Sequence, residues 1–526
     1  MSLPSVNINI GNGDSGIAPA GQDYVSGMVF YGSYPSGFSS GAPVKQITSV
    51  GSAIALGINN SYSDETAAKI KFQITTNGST GDSVTVKFAE PLNGDVVLAT
   101  IVLTAADSSA TLTAASIAAA INANTSNNGG YTATSSTSYV SVTLRPGLGV
   151  YANTNYATLM TFVIVSSSLV IGTPTLPTSG VASNLALWYY HISEFFRLNP
   201  TGVLWTGFFA VPAAASDYTF AEVAAVQTAS NGAIRQIAVY CNLPNGTGGS
   251  SITDLASLQS FISSSAGLLQ TQYTNLYNNN MPLSILFATD MTLSGGVTDL
   301  TLNLRTLTAG HVSLVISQDG ANQGFFNWQT MGFSITDIGA KLGVLSASAV
   351  SDSIADVGTF NMTNGAELSI PAFFDGTYYS SISVSEANQL DTWGYLFLRT
   401  FVGLTGSFNN NDHTCVTITN QFAFIHLGRT YDKAARLLYI AYLPYLNGKL
   451  LLQSNGNLAN TTQANLQTVG SQALDPMVRS NDLSSYSVTV PAVQPGLPTT
   501  LAITVNLLGE PIAMTINVTS QFVQSL

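Results

Sequence analysis

Apolar side chains fall on every second residue at both ends of this chain. Tyr486-Ser487-Val488-Thr489-Val490, Leu501-Ala502-Ile503-Thr504-Val505-Asn506-Leu507 and Ile512-Ala513-Met514-Thr515-Ile516-Asn517-Val518-Thr519 each alternate with small or polar residues, the period of a strand with one buried face. Leu508-Gly509-Glu510-Pro511 predicts a turn that joins the last two as a hairpin. Val6-Asn7-Ile8-Asn9-Ile10 repeats the alternation near the start of the chain with no adjacent partner. A lone strand leaves its N–H and C=O groups open, and a two-stranded hairpin is only marginally stable in water. Residues 1–24 and 481–526 therefore read as arms that complete a sheet, either within one subunit or by strand addition between subunits. In the second case the pairing residues are Val6, Ile8, Ile10, Val488, Leu501, Ile503, Val505, Ile512, Met514, Ile516 and Val518.

Between the arms the periodicity changes twice. From Thr66 to Pro177, strands at Lys69–Thr76, Ser83–Ala89, Val96–Thr104, Tyr139–Leu144 and Thr161–Val165 are separated by Asn-Gly turns. One helix, capped at Thr113, carries an Ile117/Ile121 seam. Gly/Ser/Thr/Pro-rich flanks mark residues 66–180 as an inserted β-rich domain. The stretches on either side, 25–65 and 181–340, alternate strands with helices. The helix after Ser183 has Leu185, Trp188, Ile192, Phe195 and Phe196 on one face; strands follow at Val203–Val211, Ile234–Cys241, Leu283–Ala288 and Val312–Ser317. A helical pair is expected over Thr253–Tyr277. This pattern predicts a mostly parallel sheet covered by helices. Residues 341–480 read as a second α/β unit with helices at Val384–Leu390 and Tyr431–Ile440 and a strand over Trp393–Arg399. The fold class is thus multidomain α/β: central α/β sheet domains, an inserted β-rich domain and terminal strand-exchange arms.

Composition narrows the function. Charged residues make up 8% of 526, against about 25% in an average soluble domain, while 45% are hydrophobic, ample for folded cores. A surface with so little charge has weak protection against self-association, which suits an assembly. A net charge of −12 argues against nucleic acid as a partner. No Lys or Arg precedes Lys45, so a signal peptide with a basic start is not expected, and the apolar run Leu437–Leu446 is far short of the ~20 residues a membrane span needs. Gly11-Asn12-Gly13-Asp14-Ser15-Gly16 matches a dinucleotide-binding string but lacks the following helix start; Gly37-Phe38-Ser39-Ser40-Gly41 matches a nucleophile-elbow string but lies among prolines and reads as a loop. His191, His311, His413 and His426 are scattered without metal-ligand spacing, and His413 with Cys415 makes a nucleophile pair only if geometry cooperates. Cys241 and Cys415 read as two buried thiols or one disulfide. No catalytic, cofactor or metal site is expected. Arg429, Lys433 and Arg436 share one helical face, the densest positive charge in the chain.

The run Asp475-Pro476-Met477-Val478-Arg479-Ser480-Asn481-Asp482-Leu483 through Val490, with the Thr515-Ile516-Asn517-Val518 strand, resembles the C-terminal domain of contractile tail sheath proteins of myophages and related injection systems. Thr430-Tyr431-Asp432-Lys433-Ala434-Ala435-Arg436, Gly394–Arg399 and Ser353–Val357 are similar to further pieces of one sheath subfamily, and residues 66–177 resemble the outward-facing inserted domain of many sheaths. The resemblance covers most of the chain. It implies a non-enzymatic structural subunit that polymerises as stacked hexameric rings around a tail tube protein, contacts baseplate and tail terminator proteins, and contracts to drive the tube through the target cell envelope. It implies a place in the virion tail, after assembly in the host cytoplasm, and puts the C-terminal region nearest the lumen, which makes Arg429, Lys433 and Arg436 the candidates for an acidic tube. A surface-layer or tail-fibre-like structural protein is the other class with this composition, although no fixed-period repeat is present.

Overall fold

The computed structural model describes residues 23–126, 129–166, 168–365, 367–494, 500–512 and 514. Its centre is a six-stranded sheet made of β1 (Val25–Tyr31), β2 (Val44–Ile47), β3 (Val203–Phe209), β4 (Gln236–Cys241), β5 (Ser284–Thr289) and β6 (Val312–Leu314). The order across the sheet is β6-β5-β4-β1-β3-β2; every pair is parallel except β3–β2, which closes one edge antiparallel. β1, β4 and β5 are buried along their whole length, as expected of parallel strands covered on both faces. Successive side chains divide between two cores. Ile237, Val239 and Cys241 of β4 join Val29 and Phe287 beneath helices α2 (Glu222–Ala229) and α3 (Leu255–Asn278). Ala238 and Tyr240 point the other way, with Phe30 and Phe208, to α1 (Asn184–Leu198) and α4 (Ile338–Ala347).

α1 starts where Ser183 accepts a hydrogen bond from the Ala186 N–H. α3 is one helix of 24 residues rather than the expected pair, because Phe261, Ile262, Ala266, Leu269, Tyr273 and Leu276 form an unbroken stripe on the sheet. The Trp393–Arg399 strand shrinks to Leu398–Arg399, paired with Phe408–Asn409, while Leu396 makes a single bridge to Val315.

Residues 66–181 close on themselves. Thr66 and Val181 form a bridge at the neck. Beyond it, Lys69–Thr76 pairs with Tyr139–Thr143, and Ser83–Glu90 lies between Gly94–Val102 and Met160–Val165. The Ala110–Ala123 helix seals this core with Ile117 and Ile121; its cap is Ser109, one turn before the expected Thr113, which is instead buried and donates to Asn77 Oδ1. Phe326, from the Gln323–Met331 helix outside the insertion, completes the core.

The C-terminal part packs α5 (Ile425–Tyr442) against α6 (Asn460–Arg479) beneath two strands, β7 (Ser485–Thr489) and β8 (Thr504–Leu508). β8 pairs antiparallel with β7; most of the expected hairpin partner, Ile512–Thr519, lies outside the described residues.

Where α1 crosses α4, glycine is required. A Cβ on Gly339 would meet the His191 carbonyl oxygen at 2.3 Å, and one on Gly343 the Phe195 carbonyl oxygen at 2.7 Å. Gly339→Ala should therefore cost about 1–3 kcal/mol. Gly267→Ala on α3, where a Cβ meets nothing within 4 Å, should stabilise by up to about 1 kcal/mol. Urea unfolding of both variants checks this, and equal effects would remove the helix contact as the cause.

Candidate assembly site

The C-terminal module owes its form to alternation. In β7 and β8 Tyr486 pairs with Leu507 and Val488 with Val505, and these side chains turn inward with Leu501 and Ile503 onto Val469, Ala473 and Leu437 of the two helices. Ser487, Thr489, Thr504 and Asn506 face outward. Among the described residues β7 and β8 pair only with each other. Of the expected pairing residues, Val488, Leu501, Ile503 and Val505 thus share one helix-facing surface within the subunit. Ile512 is half-buried outside any strand and Met514 is exposed. Val6, Ile8, Ile10, Ile516 and Val518 lie outside the described residues, as does the Gly11–Gly16 string.

Two of the three cations are buried and the third, Lys433, is half-buried. Arg429 is 2% and Arg436 5% exposed. Arg429 donates to Ser348 Oγ at 2.8 Å and to the carbonyls of Ala349 and Ser348 at 3.0 and 3.2 Å, placing a cation at the C-terminal end of α4. Lys433 Nζ donates to Asp23 Oδ2 at 2.7 Å and to Asp482 Oδ2 at 2.9 Å; Arg436 faces the other Asp23 oxygen at 3.6 Å. The physical reason is helical geometry: α5 buries a face that includes positions 429, 432, 435, 436 and 439, and charges on that face must find partners. Asp23 stands at the root of the N-terminal segment and Asp482 at the root of β7, so one ammonium ties both roots to α5. Sequence reasoning missed Asp23 because the pair spans 410 positions.

Beside α5 a cavity of about 400 Å³ opens between α3 and the loop before α5, lined by Tyr273, Tyr277, His311 and Phe422 with amide side chains at its rim. His311 stacks on Tyr273 with ring centroids 3.5 Å apart, and neither of its ring nitrogens has a hydrogen-bond partner. Burial drives its imidazole down to about 3, so it is neutral. Tyr273 Oη donates to Asp432 Oδ1 at 2.9 Å. Burial pushes the Asp432 carboxyl up to about 7, against the opposing pull of Arg436.

His413 is held by Asp391 at 3.1 Å and by Arg305, not by Cys415. Cys241 and Cys415 are both free and buried, and burial pushes each thiol up to about 12. His191 is enclosed and unpaired between Phe30 and Tyr240, and His426 pairs with Asp412 at 2.6 Å. Gly37–Gly41 is a turn with a Ser39–Ala42 bridge, as its prolines predicted. Among the described residues no group of three His, Cys, Asp or Glu could hold a metal, and no helix is long and apolar enough to cross a membrane.

Two predictions follow from α5. Lys433→Ala leaves two neighbouring carboxylates without their shared cation and should cost about 1.5–3 kcal/mol, with Lys433→Ala/Asp23→Asn recovering part of it; additive losses in urea unfolding would mean the two groups do not interact. Asp432 titrates near 4 when unfolded, so between about pH 4 and about 7 the folded chain holds a proton the unfolded chain lacks. Its contribution is complete below that window and is lost as pH rises through it. Asp432→Asn should flatten the fall in urea midpoint over those pH values; an unchanged slope would assign the titration elsewhere.

Residues 208–413 match the N-terminal domain of DUF2586 and residues 421–526 its C-terminal domain. No curated protein matches the sequence. Among solved structures, a chain of the anti-feeding prophage (AFP) baseplate is similar at 13% identity and a TM-score of 0.40, over 64% of this chain and 80% of that chain. The sheath tail protein Lin1278 from Listeria innocua is similar at 11% identity and a TM-score of 0.34, over 93% and 96%. Matched in order by both domains over more than half of its length, the chain belongs to the DUF2586 family.

Proposed function

We propose that this protein is a structural subunit of a contractile tail sheath, which polymerises with its own copies around an inner tail tube and shortens to drive that tube through a target cell envelope. The observation that carries this reading is the β7–β8 sheet, whose strands pair only with each other among the described residues while both chain ends leave from roots fixed by Lys433. Open edges are satisfied by an added strand. The alternating segments around Val6, Ile8 and Ile10 and around Ile516 and Val518 have the pattern to supply one to a neighbouring copy. The resemblance of residues 475–490 to sheath C-terminal domains supports the same reading.

In this reading the partners are further copies in stacked hexameric rings, the tube protein, and baseplate and terminator proteins at the tail ends. Assembly occurs in the host cytoplasm and the product is the virion tail. No cofactor is needed and no reaction is catalysed. The insertion, joined at the Thr66–Val181 neck and held to the Gln323–Met331 helix through Phe326 and the Val150 N–H to Thr330 carbonyl hydrogen bond, faces outward. Residues other than Arg429 and Arg436, whose guanidinium groups are buried, make the tube contact.

Purified chain should form hollow striated cylinders or rings in negative stain, and chain lacking Met1–Asn12 should stay folded but dispersed. Excising residues 66–180 should narrow the cylinder. Flat sheets would favour a surface-layer protein, and cylinders formed without Met1–Asn12 would show that the N-terminal strand is not the joint.

A further inference from the structure

Lys341 sits in the middle of α4, between Ala340 and Leu342, and is 0% exposed. The helix packs into a core with Ile354, Met362, Leu396 and Leu398. An ammonium taken out of water must be paired or give up its proton. Two side chains meet this one. Asp337, one turn back at the start of α4, places Oδ2 3.1 Å from Nζ, and Asn409 places Oδ1 2.5 Å from it. Asp337 and Asn409 are each 1% exposed. Their other atoms are held in place: Ser317 Oγ donates to Asp337 Oδ1 at 2.9 Å, and Asn409 Nδ2 donates to the Ile354 carbonyl at 3.1 Å and to Met362 Sδ at 3.5 Å. With its NH2 group on those acceptors, the amide turns its carbonyl toward the lysine.

We propose that Lys341 and Asn409 become joined by an isopeptide bond, which the folded chain forms by itself with Asp337 as proton relay. The Nζ lone pair attacks Asn409 Cγ, the Cγ–Nδ2 bond breaks, and Nδ2 leaves as ammonia. One Nζ proton passes through the Asp337 carboxyl to the departing nitrogen. An amine and a primary amide become a secondary amide and ammonia, so atoms and electrons balance with no oxidant or cofactor. Oδ1 is about 1.23 Å from Cγ, so Nζ is at most about 3.7 Å from the carbon it attacks, close to the ~3–3.5 Å of a near-attack arrangement. Burial holds the Lys341 amine below its ordinary range and the Asp337 carboxyl above its own. That favours a free amine beside a protonated acid, the nucleophile and the proton donor of this step. Exclusion of water removes the competing hydrolysis. The bond closes a loop across 68 positions and fastens α4 to the strand Phe408–Asn409. Cys241 and Cys415 are both free, and an amide link, unlike a disulfide, persists in a reducing compartment.

Mass spectrometry of the purified, denatured full chain decides this without any substitution. The chain should weigh about 17 Da less than its sequence, one ammonia. Trypsin should leave Lys341 uncut and release residues 306–399 joined to residues 400–429. Cleavage after Lys341, with residues 400–429 recovered as a separate peptide, overturns the proposal. So does the same mass loss mapped to a succinimide at an Asn-Gly step. The relay is read from Asp337→Asn, which keeps the side chain's shape and removes its acid. In variant chain that still unfolds cooperatively in urea, the linked peptide should fall at least tenfold, and linkage to the full extent would overturn the role of Asp337. The outcome does not depend on whether cylinders form, so it stands apart from the sheath reading.

Discussion

One ammonium group joins stretches of chain that have no proximity in sequence. Lys433 holds Asp23, at the entrance to β1, and Asp482, at the entrance to β7. The position of α5 against the central sheet depends on this tie, on Arg429 at the end of α4 and on Arg436 at Asp23. In a chain with 8% charged residues these cations do not build a surface potential. They act as fixing points, because a charge removed from water is tolerated only where its partner is already in place. The rest of the C-terminal module then needs little beyond alternation and packing.

Much of the fold is legible in the residues because local pattern and tertiary need agree. The central strands read as short apolar runs and are buried on both faces. The insertion strands read as alternation between Asn-Gly turns, and the Ile117/Ile121 seam is where the spacing puts it. α6 was not foreseen, since Asn, Thr and Gln dominate its first half; the signal was present in Leu466, Gly470, Leu474 and Met477, which recur at helical spacing and are buried. The β7–β8 pairing needed more than a turn signal: a turn-rich tetrapeptide argues for the nearest partner, whereas what brings these two strands together is that both apolar faces pack on the α5–α6 pair.

The candidate site was less legible than the fold. That Arg429, Lys433 and Arg436 share a helix face follows from spacing; which way that face turns does not. Spacing within a helix says nothing about the sheet it covers, and the deciding neighbours, Ser348, Asp23 and Asp482, arrive from three distant stretches. The cavity has the same origin, with Tyr273, His311 and Phe422 brought together by three separate elements.

The central sheet ends in strands of four residues at β2 and three at β6. Edges that short give an incoming strand few backbone groups to pair with. β7 and β8 each offer five residues, flat against a helix pair. Where a strand of one copy is added to such an edge of the next, giver and receiver are different surfaces, so a row of such joints has a direction and two chemically different ends.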